Sequence, residues 1–100
     1  MPRYVVERTY TVDLNSLPAV GRRSKQLGRD SFPEITWEHS HVVLAEDGAL
    51  KSFCIYEAPS KEVVREHSRR LGEHFVEEIY EIAGDVTPDD FPLDGESAST

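Results

Sequence analysis

The chain has 100 residues, one cysteine and a formal net charge of −8, and five acids between residues 84 and 100 supply more than half of that charge. This length predicts a single domain with a modest core, and the lone cysteine excludes an intramolecular disulfide, which favours a reducing cytoplasm. The acidic balance argues against nucleic acid as a partner, and no apolar run approaches the ~18 residues that a membrane-spanning helix needs.

The first half of the chain predicts a strand, a helix and a hairpin. Residues 3–10 are rich in β-branched and aromatic side chains and contain no glycine or proline, which is typical of a strand. Apolar residues then recur at helical spacing over about 16–28, so a first helix is expected there. Residues 35–44 and 51–58 predict a second and a third strand, joined by a turn at Glu46-Asp47-Gly48.

The second half predicts a helix, a strand and a tail. Ser60 is a good N-cap for a second helix that ends at Gly72. Residues 76–83 are short and β-branched enough for a fourth strand, after which 84–100 shifts to Asp, Pro, Gly and Ser. We therefore expect a ferredoxin-like α+β domain of order β-α-β-β-α-β over residues 1–83, with two helices on one face of a four-stranded antiparallel sheet, followed by an acidic, flexible tail.

Apolar side chains occur at both odd-numbered and even-numbered positions of the second predicted strand. Ile35, Trp37 and Val43 are expected on one face of the sheet, and Val42 and Leu44 on the other. The helices cover only one face, so a monomer would leave one of these sets exposed. We therefore expect a symmetric homodimer in which two sheets pack together.

Two histidines in the second strand suggest a metal site. His39 and His41 are two residues apart, and side chains at this spacing in a strand emerge side by side at the same face. Imidazole suits Zn, Cu and Ni, and a thiolate-poor set of nitrogen and oxygen ligands leans toward Ni(II) or Cu(II). Glu7, in the middle of a central strand, is a further candidate ligand because a carboxylate is costly to bury unless it is paired or metal-bound.

The register of the hairpin decides which residues neighbour these histidines. With a two-residue turn at Asp47-Gly48, His41 lies opposite Cys54 and His39 lies opposite Tyr56. All four side chains would then share one face. Cys54 and Tyr56 are therefore candidate ligands in this register.

A three-residue turn with a glycine bulge gives a different set of neighbours. It places Phe53 beside His41 and Ile55 beside His39, so that hydrophobic residues surround the histidines. The turn sequence allows both registers. His67, on the apolar stripe of the second helix, is another candidate ligand, although such a residue is more often a core histidine bonded to the backbone.

The sequence contains four short runs that together span about residues 3–83, namely Arg3 to Thr9, Trp37-x-x-Ser40-x-Val42, Phe53 to Pro59, and Val64 to Gly72. In this order and spacing, they resemble the small bacterial nickel-binding, nickel-responsive proteins. The resemblance implies a ferredoxin-like dimer of the dimeric α/β-barrel type that binds nickel and performs no known reaction. The site would lie on or near the sheet face at the dimer interface. The residues themselves leave Zn(II) and Cu(II) open, so nickel rests on the resemblance.

Two other function classes compete with a metal-binding protein. A sheet face capped by a partner subunit makes a cavity, so a small cofactor-independent enzyme resembling oxygenases or isomerases of this architecture is one alternative. A protein-interaction module that uses the uncovered face and the acidic tail is the other. The sequence has no glycine-rich phosphate loop and no H-E-x-x-H helix, so no reaction class is indicated and we expect a non-enzymatic protein.

Overall fold

The computed structural model describes residues 1–95, in which two helices cover one face of a four-stranded antiparallel sheet. The strand order across the sheet is β2-β3-β1-β4, so β1 is central and β2 is an edge strand. This order confirms the predicted ferredoxin-like α+β class. The elements are β1 (Arg3–Tyr10), α1 (Leu17–Ser31), β2 (Thr36–Leu44), β3 (Leu50–Glu57), α2 (Lys61–Leu71) and β4 (His74–Glu81), with short 3-10 helices at Leu14–Ser16 and Pro88–Asp90.

Both helices have identifiable boundaries. The Ser60 hydroxyl accepts a hydrogen bond from the Val63 N–H at 3.3 Å, which caps α2, and Gly72 ends that helix with a φ of 74°. Helix α1 continues to Ser31, beyond the predicted end at Gly28. The extra turn leads directly to Phe32, which is buried, and burial of a phenylalanine outweighs the low helix propensity of one glycine.

Side chains along the two central strands, β1 and β3, alternate between the two faces of the sheet, and those on one face form the core. Even-numbered residues of β1 and β3 are buried beneath the helices, except for the half-buried Tyr10 at the end of β1, while odd-numbered residues are half-buried on the opposite side. We call the covered side the helix face. The open face is the side without helices, and it carries Val5, Glu7, His39, His41, Phe53 and Ile55. The core cluster comprises Tyr4, Val6, Cys54, Tyr56, Ala58, Val64 and Ile79.

A β-bulge in β2 changes the expected assignment of its faces. Trp37 pairs with Tyr56, but the next pair is His39 with Ile55, so Glu38 is an extra residue on this strand. Trp37 therefore lies on the helix face, like Val42 further along. The prediction that Trp37 shares a face with Val43 was wrong, because one inserted residue inverts the alternation.

The hairpin between β2 and β3 has a three-residue turn. Ala45 and Ala49 face each other, with the Ala45 N–H donating to the Ala49 carbonyl at 2.9 Å. Gly48 has a φ of 86°, a left-handed conformation that favours glycine. His41 consequently pairs with Phe53. The two-residue alternative, with His41 opposite Cys54, is thereby excluded.

The strand at the other edge also contains a bulge. Strand β4 begins at His74, two residues before the predicted start, and its register against β1 shifts between Glu7 and Arg8. After β4, Asp85 forms a salt bridge with Arg3. The predicted tail lies partly outside the described residues, since its last five positions, 96–100, are not among them, and its flexibility stays a prediction. Within residues 1–95, no helix has the length and apolar character to cross a membrane.

Candidate metal site

His39 and His41 lie next to each other on the open face of edge strand β2. Their ring centroids are 5.2 Å apart and the ring planes are nearly perpendicular, at 85°. Both side chains are exposed. Bonds from a metal ion to imidazole nitrogen are ~2.0–2.1 Å long, so two rings at this separation can reach one ion after small side-chain rotations.

The neighbours of the two histidines on the open face are apolar. His41 pairs with Phe53, and His39 pairs with Ile55, both on β3. Val5 on β1 lies beyond Ile55 in the same row. These side chains are half-buried in the single chain, so the imidazoles stand at the edge of an apolar surface.

Glu7 lies on the same face but not beside the histidines. It pairs with Phe53, which in turn pairs with His41, so the whole of β3 separates the carboxylate from the imidazole. Two interstrand spacings amount to ~9–10 Å. The Glu7 carboxylate accepts a hydrogen bond from Lys51 Nζ at 3.0 Å, and this contact raises the pKa of Lys51. An ion pair therefore already compensates the charge of Glu7.

Cys54, Tyr56 and His67 lie on the opposite side of the sheet, beneath the helices. All three are buried, and the Tyr56 hydroxyl accepts a hydrogen bond from Arg8 at 2.6 Å. The structure thus does not bring them together with His39 and His41. In the part of the chain that the structure describes, no three His, Cys, Asp or Glu side chains are grouped so that they could hold a metal ion.

Glu38 is an acidic neighbour of the histidines that the sequence patterns did not single out. Its two carboxylate oxygens accept hydrogen bonds from the Arg3 guanidinium at 2.8 and 3.0 Å. These bonds lower the pKa of Glu38. Its position follows from the bulge, and a bulge has no clear signal in this stretch of sequence.

Comparisons with known proteins agree with this architecture. A family model described as nickel responsive protein SCO4226-like matches residues 4–82. The crystal structure of SCO4226 from Streptomyces coelicolor A3(2) superimposes with a TM-score of 0.65 at 20% identity, covering 84% of this chain and 99% of that one. No curated protein matches the chain. Because the family match covers most of the sequence, the chain belongs to the SCO4226-like family of nickel-responsive proteins.

Proposed function

We propose that this protein binds Ni(II) through His39 and His41, without catalysing a reaction, at an interface between two copies of the chain. The observation that carries the proposal is the pair of imidazole rings 5.2 Å apart on an uncovered sheet face, in a chain from a nickel-responsive family. The donor chemistry fits, since neutral imidazole is a common ligand for nickel, copper and zinc.

A second copy would complete the ligand set. One chain offers two adjacent imidazoles, whereas a stable transition-metal site usually needs three or four protein ligands. A two-fold axis passing beside β2 would place His39 and His41 of both copies around one ion. Four nitrogen donors in a tetragonal arrangement suit Ni(II) and Cu(II), while zinc prefers a tetrahedral site. The family name supports nickel among these metals.

The apolar character of the open face supports dimer formation as well. Phe75 and Tyr80 on β4 expose 64% and 54% of their surface, and Val43 on β2 exposes 36%. Tyr80 lies in one row with Val5 and Ile55, and exposed apolar surface of this kind often marks an interface. A symmetric dimer would bury it by packing one open face against the other.

Glu7 enters the proposal as an ion that is already paired. Glu7 and His41 lie on either side of β3. To ligate the same metal ion as His41, the Glu7 carboxylate would have to leave Lys51 and reach over β3. Cys54, Tyr56 and His67 are not part of the proposed site, because their side chains lie on the helix face.

Titration of Ni(II) into metal-free, untagged protein tests the ligand assignment. We expect saturable binding by calorimetry that weakens on acidification, because a proton on the ring nitrogen competes with the metal. The double variant His39→Ala, His41→Ala should lose affinity at least about tenfold, whereas His74→Ala, on the helix face, should bind as the natural chain does. Nickel uptake that is equal in all three proteins would refute the assignment.

Sedimentation measurements test the role of the second copy. We expect a dimer that takes up one Ni(II) per two chains through the paired histidines. Glu7→Gln separates the carboxylate from this site: it should leave the affinity unchanged if the imidazoles alone hold the ion. A monomer that binds one Ni(II) per chain through His39 and His41 would contradict a site shared between two chains, but it would support the assignment of these two ligands.

A further inference from the structure

A cavity of about 170 Å³ lies on the helix face, between α1 and the sheet. It is separated from the proposed metal site by the sheet itself. Residues from four elements line it, and the ones that decide its chemistry are Gly28, Lys25 and Arg29 of α1, Trp37 of β2, Tyr56 of β3 and His67 of α2.

Two local features create this space. Gly28 lies inside α1, and a Cβ placed on it would meet no atom within 4 Å, so the absent side chain leaves the cavity open. The bulge at Glu38 turns Trp37 onto the helix face, where its indole forms one wall. The indole N–H donates to Ser40 Oγ at 2.9 Å, which fixes the orientation of the ring.

The base of the cavity is aromatic and polar. His67 is buried with 3% exposure, and its ring lies 6.3 Å from that of Tyr56 and 5.5 Å from that of Phe32. Its Nε2 is 3.4 Å from the Ser24 carbonyl oxygen, which is long for a hydrogen bond. Burial lowers the pKa of His67, and the nearby charge of Arg8 adds to this effect, so the ring is neutral at neutral pH.

The mouth of the cavity is positively charged, in contrast to the chain as a whole. Lys25 and Arg29, one turn apart on α1, both line it. Arg29 donates from Nε to the Asp30 carboxylate at 2.9 Å, so its charge is partly shared. Lys25 forms no salt bridge with any carboxylate among residues 1–95 and presents a full charge to an incoming anion.

We propose that this cavity binds a small aromatic carboxylate, with the ring against Trp37 and Tyr56 and the carboxylate at Lys25. Its size supports a single ring, because an engineered cavity of roughly 150 Å³ holds one benzene molecule whereas drug-sized ligands need ~300 Å³ or more. Aromatic walls favour stacking or edge-to-face contacts with the ring, and the cation at the mouth selects an acid. This binding is independent of the metal site.

Titration with benzoate provides a direct test. Trp37 is the only tryptophan of the chain, so its fluorescence reports on the cavity without interference from other indoles. We expect a saturable change in the fluorescence of metal-free protein, with a dissociation constant in the millimolar range or tighter. No saturable change with benzoate would overturn the proposal.

Filling the cavity tests its location. Gly28→Leu places a side chain in the open space, while Gly21→Leu adds the same group to another position of α1 where a Cβ also meets nothing within 4 Å. Both substitutions raise helix propensity, so both variants should fold. We expect Gly28→Leu to weaken benzoate binding at least about tenfold and Gly21→Leu to have little effect. If the two variants bind benzoate with equal affinity, the ligand does not bind in the cavity beside Gly28.

The role of the charge is tested with exposed residues, whose replacement does not endanger the fold. Lys25→Gln should weaken benzoate binding by a factor of about three to ten but leave the binding of uncharged benzyl alcohol unchanged. Arg22→Gln, on the same helix but not lining the cavity, is the matched control and should have a smaller effect. If Lys25→Gln weakens the binding of benzoate and of benzyl alcohol equally, the assignment of a carboxylate at Lys25 would be wrong.

Discussion

A buried arginine in the middle of the sheet gives the sharpest test of how the core is held together. Arg8 is 2% exposed on β1 and forms no salt bridge among the described residues. Its guanidinium donates to the Tyr56 hydroxyl at 2.6 Å and to Ser68 Oγ at 2.7 Å, and its carbon lies 5.2 Å from the centre of the Tyr56 ring. Two neutral hydroxyls and the Tyr56 ring therefore offset part of the cost of the buried charge, while Arg8 Nε is buried without a hydrogen-bond partner among the described residues.

The expected energies follow from these contacts. Tyr56→Phe removes one acceptor and leaves a guanidinium nitrogen unsatisfied, which should lower the free energy of unfolding by about 1.5–3 kcal/mol. In an Arg8→Met background the charge is gone, so the same change at Tyr56 should have almost no effect. The coupling energy between the two positions is therefore expected to be about 1.5–3 kcal/mol.

Urea denaturation followed by circular dichroism measures all four proteins of this double-mutant cycle. Protein concentration must be equal throughout, because an associating chain has a concentration-dependent stability. The exposed pair Glu66 and Arg69 on α2 is the control, and its cycle should give no coupling above the error of measurement. A coupling energy between Arg8 and Tyr56 below about 0.5 kcal/mol would refute the view that this hydrogen bond stabilises the core.

Three further predictions concern stability. Burial lowers the pKa of His67 and His74, so below pH ~6.5 the unfolded chain binds more protons than the folded chain. Unfolding by urea should therefore become easier as the pH falls from that value. A stability that does not change with pH in this range would contradict this prediction. Gly48→Ala strains a backbone with φ of 86° and should cost about 1–2 kcal/mol in chemical denaturation, whereas Gly84→Ala should cost little. Ile79→Ala empties a core position with 1% exposure and should cost about 2–5 kcal/mol, a loss visible as a lower midpoint in thermal unfolding.

The order of elements could be predicted because each has a local cause. The run of β-branched and aromatic residues at 3–10 leaves little alternative to a strand, and the cap at Ser60 determines where α2 begins. The end of α1 could not be predicted from Gly28, since the helix continues in order to bury Phe32. Helix boundaries that depend on a tertiary contact cannot be predicted from the local sequence pattern.

The hairpin shows a similar limit within the site. The turn residues allow two registers. Since pairing with β1 keeps Cys54 in the core, the register that places His41 opposite Cys54 would turn both histidines toward the helices, whereas the observed register keeps them on the open face. The difference between the two registers appears only once β3 is paired with β1 and covered by the helices, so the turn residues alone do not decide it. The spacing of His39 and His41 was sufficient to place both rings on one face, but not to identify their neighbours.

The bulge at Glu38 explains why one strand can serve both faces of the sheet. Without it, Trp37 and His39 would have the same parity and would both stand on the open face. The indole would then crowd the imidazoles, and the cavity on the helix face would lose a wall. With the extra residue, Trp37 faces Tyr56 while His39 faces Ile55 on the other side. A single inserted residue in an edge strand thus separates an aromatic cavity from the two proposed metal ligands, and it allows the two to be altered independently.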